Sequence, residues 1–201
     1  MIKTLLKKLQ PYTGLLAVFV VWAGTLMSMY RTGLGLLDAR PISILSTEPS
    51  SRLLFSGSLI ASALLFICFA YYINTKFAVN NTFLKYFIAG QIGQIILAVS
   101  PYGETLIGVI HLLAALTLAF SLPLLIKQFM LSQHKSPYQR TYMYLFRLEQ
   151  IALVIGLGLF VFARGLVPLG EAMLAIGFHL WILVVTYIAI KRPNHLSSPS
   201  S

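Results

Sequence analysis

Six apolar runs, near residues 14–30, 53–73, 84–99, 105–126, 148–167 and 172–190, divide this chain of 201 residues and limit what it can fold into. About 20 apolar residues in a helix cross the ~30 Å hydrocarbon core of a bilayer. Charged residues make up 10% of the chain, against roughly 25% in soluble domains, which is too few to clothe a water-facing surface. The expected fold class is all-α, a polytopic membrane bundle of six transmembrane helices forming one domain over residues 1–192. A Ser/Pro-rich tail at 193–201 is expected to be disordered. The first run follows Lys3, Lys7 and Lys8 as a signal peptide would. It is long for one, however, and Met27-Ser-Met-Tyr30 is a poor match to a small-residue cleavage site, so it is read as an uncleaved span.

Charge sets the expected orientation. With the N-terminus placed in the cytoplasm, Lys3, Lys7, Lys8, Lys76, Lys85, Lys127, Lys135, Arg140, Arg147, Lys191 and Arg192 fall on the cytoplasmic side. Only Arg31, Arg40, Arg52 and Arg164 fall on the other, together with Asp38, Glu48, Glu104 and Glu171. Eleven basic residues against four is a strong positive-inside bias, so both termini are expected in the cytoplasm and the protein in a cell inner membrane as a multi-pass component. The net charge of +10 is then topological, with membrane lipids rather than nucleic acid as the partners it implies. The single cysteine, Cys68, lies inside an apolar run and excludes an internal disulfide.

One short pattern occurs twice. Pro101-Tyr-Gly103-Glu104 precedes His111, and Pro168-Leu-Gly170-Glu171 precedes His179. A shift of 67 residues overlays the third and fourth runs on the fifth and sixth, with the histidines one residue out of register. Both copies would share one membrane orientation, as in a parallel repeat. Ordinary hairpin chemistry explains much of the likeness, since Pro and Gly shape turns and Glu suits a helix N-terminus.

The histidines go further than a turn requires. Each lies roughly 10–12 Å below its glutamate at 1.5 Å per residue, near the middle of the bilayer, where ionisable groups are rare and face the bundle or a cavity. A polar pocket, a proton-handling pair or axial ligation of a haem would use them. Interhelical hydrogen bonds to Gln91, Gln94 or a backbone carbonyl would explain them without any function. Arg164, near the end of the fifth run, would pair with Glu171, Glu104 or Asp38 or snorkel to the headgroups. Glu149 reads as a charge at a helix start, and Tyr138, Tyr142 and Tyr144 as headgroup-level aromatics. No nucleotide-binding, HExxH, CxxC or GxSxG motif occurs.

The first outer connection reads Asp38-Ala-Arg40-Pro41-Ile42-Ser43, followed by Pro49-Ser-Ser-Arg-Leu-Leu-Phe55. With Ser100-Pro101, His111-Leu-Leu, and Gly165-Leu-Val leading to Glu171 and Trp181, this resembles a family of six-span prokaryotic membrane proteins of unknown function, distantly similar to the FRAG/DRAM/Sfk proteins. The resemblance covers about residues 14–190. It implies the six-helix fold and a loop lying against the second span, and it supplies no cofactor or catalytic residue. Links of the eukaryotic relatives to trafficking and lipid remodelling are analogy at the level of fold. The expectation is a non-enzymatic component that interacts with lipid or a small molecule through a polar cluster toward the outer face. Its candidates are Asp38, Arg40, Ser43, Glu104, His111, Arg164, Glu171 and His179, with no metal or cofactor site. The alternative is an electron-transfer or intramembrane enzyme using His111 and His179 for haem or proton handling.

Overall fold

A computed structural model describes residues 9–101, 103 and 106–191, except the side chain of Arg164. Glu104 and the tail at 193–201 lie outside the described residues. A 3-10 turn at Gln10–Tyr12 leads into α1 (Thr13–Thr32), followed by α2 (Arg52–Phe77), α3 (Asn81–Val99), α4 (Leu106–Ser132), α5 (Gln139–Phe162) and α6 (Val167–Lys191). All six are long and apolar enough to span a membrane, and no strand occurs among the described residues. Even α3, with 19 residues, reaches about 28 Å at 1.5 Å per residue.

Local chemistry sets the ends. Gly33, at φ 66°, terminates α1 in the left-handed region, and the Leu34 N–H returns to the Met29 carbonyl at 3.0 Å. Asn80 caps α3 by accepting from the Phe83 N–H at 2.9 Å. Residues 33–51, 100, 101, 103 and 163–166 lie on one face of the bundle, here the loop face. The connections at 78–80 and 133–138 share the opposite, terminal face with Leu9 and Lys191.

The fifth span departs most from its apolar run. It begins at Gln139 and ends at Phe162, so Glu149 lies well inside α5 and is 1% exposed; it is not a helix-start charge. The polar residues Gln139–Arg147 nonetheless continue the helix, because their buried members, Tyr142 and Leu145, pack on the bundle. Tyr142 stands edge-on to Phe129, with ring centroids 5.0 Å apart, rather than at headgroup level. The real turn is the 3-10 segment Arg164–Leu166. Arg164 therefore belongs to a connection and not to a span, while Pro168 and Gly170 lie in the opening turns of α6. Proline is tolerated there because a first-turn N–H has no helical partner.

Small residues let the hairpins close. A Cβ on Gly93 of α3 would meet the Ala114 carbonyl at 2.9 Å, and one on Gly156 of α5 the Gly170 carbonyl at 2.8 Å. Close backbone approach of this kind is how helices associate where no water drives them together. The half of the bundle toward the terminal face is filled by aromatic rings. Phe129 meets Trp181 edge-on at 5.2 Å and Phe77 at 5.2 Å, while Phe83 and Phe87 pack alongside. A smaller cluster of Met29, Leu34, Ile42, Leu45, Phe55 and Ala172 closes the loop face. The space between these two clusters is not filled.

Candidate functional site

That space is a cavity of about 200 Å³, walled by every helix except α5. Its walls are mostly apolar side chains, among them Val21, Leu59, Leu118 and Leu174. Four of the eight residues singled out from the sequence line it: Ser43, His111, Glu171 and His179. Asp38 and Arg40 do not. They pair with each other at the surface, Nη2 to Oδ2 at 2.9 Å, and this guanidinium hydrogen bond, with the Arg40 N–H, holds the Asp38 carboxyl at about 2. Glu104 and the Arg164 side chain lie outside the described residues.

The loop face is folded back over the cavity as a roof. A 3-10 segment at Ile42–Ser46 brings its first backbone N–H onto Oε2 of Glu171, and the Ser43 hydroxyl donates to Oε1 at 3.2 Å. Both carboxylate oxygens therefore act as acceptors. A carboxylate offers about four lone-pair sites, so its donors from Ile42 and Ser43 leave room for another. The Val167 N–H donates to the Asp38 carbonyl at 3.2 Å, which ties the same loop to the start of α6. Sequence separation hid this arrangement, because Glu171 and Ile42 are 129 positions apart.

His179 lies eight residues deeper on α6, about 12 Å below Glu171. The Trp22 indole N–H donates to its Nδ1 at 3.0 Å. An indole nitrogen is a donor only, so Nδ1 is the acceptor and Nε2 carries the proton of the neutral ring. Phe66 stacks on the same imidazole, with planes 15° apart. Trp22 was not among the sequence candidates; a lone tryptophan in an apolar run carries no signal of its partner. In His111 the Nδ1 is the donor, since it lies 2.6 Å from the Ser100 carbonyl, which only accepts. The two histidines thus brace the wall, one joining α1 to α6 and the other holding the end of α3 against α4.

Gln94, one of the two glutamines expected near the histidines, donates instead to the Leu59 carbonyl at 2.9 Å and to Ser62 Oγ at 2.7 Å. Among the described residues no three His, Cys, Asp or Glu side chains converge as metal ligands. Small-molecule pockets commonly measure ~300–1,000 Å³. At about 200 Å³ the cavity is below that range and too small for a tetrapyrrole, so bis-histidine haem ligation does not fit it. An apolar protein cavity of ~150 Å³ accepts benzene, so this one suits a compact molecule of about ten heavy atoms. The chain matches no protein-family model, no curated protein and no solved structure.

Proposed function

We propose that this integral membrane protein is a non-enzymatic binder of a small amphipathic molecule, which it holds in the cavity between the roof loop and the aromatic floor. The observation that carries the reading is the distribution of polarity. Glu171 and Ser43 stand under the roof, the Trp22–His179 pair stands deep, and apolar side chains lie between. A mostly apolar pocket with a few convergent polar groups is the usual form of a ligand site. The resemblance to six-span proteins distantly similar to the FRAG/DRAM/Sfk proteins favours the same class of role, by analogy alone.

The proposed setting is a prokaryotic inner membrane with both termini in the cytoplasm. Support comes from the excess of Lys and Arg on the terminal side. In that orientation the roof faces outward, and the ligand comes from the outer leaflet or the outer aqueous phase.

Fluorescence of the whole protein in lipid nanodiscs tests the binding. A brominated octanol quenches tryptophan, and Trp22 lines the cavity. A saturable component above the linear background of lipid partitioning is expected, and Ala115→Phe, which fills the cavity, removes it. Quenching that stays linear, and equal in both proteins, contradicts the proposal.

A further inference from the structure

The binding reading leaves the chemistry of the ligand open, and the cavity narrows it. Resting on that reading, we infer that the ligand is a lipophilic amine, its ammonium seated on Glu171 beneath the roof loop and its apolar body reaching down toward His179.

Glu171 is the only charged side chain among the described residues that line the cavity. Its oxygens accept from the Ile42 N–H and from the hydroxyl and backbone N–H of Ser43, all neutral donors. No Lys or Arg lines the cavity among the described residues. A carboxylate in such surroundings is stabilised by a cation that brings hydrogen-bond donors, and a charge-assisted bond is roughly twice as strong as a neutral one. A carboxylate or phosphate head would meet like charge at the same place. An alcohol would satisfy the geometry and leave the charge uncompensated.

The walls agree with this choice. Phe55, in the cluster at the loop face, is among the lining residues, and aromatic faces attract organic cations by about 0.5–2 kcal/mol. The eight-residue step from Glu171 to His179, about 12 Å along α6, matches an aliphatic chain of about eight carbons. The ring nitrogen of His179 not engaged by Trp22 is a donor and marks the deep end.

The test is competition against the saturable brominated-octanol quenching, using full-length protein in nanodiscs of zwitterionic lipid at neutral pH. Octylamine, N-octylacetamide, octanol and octanoate share one chain and differ in the head. Octylamine is expected to displace the probe at a concentration at least about tenfold lower than octanol or the acetamide, a difference of roughly 1.4 kcal/mol. Octanoate is expected to be the weakest. Glu171→Gln should bring octylamine to within about threefold of octanol. Equal displacement by octylamine and the acetamide in the unaltered protein overturns the inference while binding itself stands, and needs no variant to fold. Stronger displacement by octanoate overturns it equally. If the probe shows no saturable component at all, the binding reading fails, and the amine with it.

Discussion

The Trp22 indole N–H donates to Nδ1 of His179 at 3.0 Å, joining the middle of α1 to the middle of α6 across 157 positions of sequence. Both residues line the cavity, and Phe66 stacks on the imidazole from α2. One hydrogen bond therefore fixes a tautomer, closes the bundle between its first and last helices, and sets the depth of the cavity.

Trp22→Phe keeps most of the apolar surface and removes the donor. Interhelical hydrogen bonds in membranes are worth about 1 kcal/mol, so a loss of about that size is expected in equilibrium unfolding by mixed detergents. His179→Phe should cost a similar amount, and the double variant little more than either alone, because the pair acts as a unit. Fully additive losses would show that the two residues do not interact.

Gly177 of α6 lies against Glu149 of α5. An added Cβ would overlap the Glu149 carboxylate and approach its Cα to 2.9 Å. A side chain can rotate away, but a backbone atom cannot. Gly177→Ala is expected to destabilise the α5–α6 hairpin by about 1–3 kcal/mol, the usual cost of overpacking. Gly57 on α2 has nothing within 4 Å of the same construction, so Gly57→Ala should leave the unfolding midpoint almost unchanged. Equal behaviour of the two variants would contradict the packing.

The six spans were legible because apolar length is a local property that the bilayer reads directly. The bounds of α5 were not. Gln139–Arg147 is polar in composition and helical only because Tyr142 and Leu145 find the aromatic core, which is a tertiary effect. The same error made Glu149 look like a helix-start charge and put Arg164 inside a span. Of the candidate cluster, Ser43, His111, Glu171 and His179 meet at the cavity, since burying polar groups in apolar runs leaves few other places for them. Asp38 and Arg40 pair with each other instead, two positions apart on an exposed loop. Trp22 and Ile42 carry no chemistry in the sequence and acquire theirs only from the partners the fold supplies.

The roof loop should be indifferent to mild acid where Asp38 is concerned. The Arg40 guanidinium hydrogen bond lowers that carboxyl from 3.8 to about 2. A carboxyl depressed on folding contributes stability above its unfolded value and loses it as pH falls through the folded one. Any contribution is thus constant from neutral pH down to roughly 4 and disappears toward 2. Carbon-13 NMR of the Asp38 carboxyl should give a midpoint near 2, and Arg40→Gln should return it toward 3.8. An Asp38 midpoint at its ordinary value in the unaltered protein would show that the pair is not formed.

A reporter active only in the cytoplasm, fused after Ser201, should be active, as should one placed in the 133–138 connection. The same reporter inserted near Glu48 should be silent. The reverse pattern would invert the proposed topology and turn the roof toward the cytoplasm.

The cavity as a ligand site is tested most directly by locating a heavy atom in it. Crystals of the whole protein grown with 8-bromooctylamine should give one strong anomalous bromine peak between α4 and α6, near Leu118 and His179, with the amine under Ile42 and Ser43. Bromine found only along the lipid-facing sides of the helices, with the cavity empty, would contradict the account.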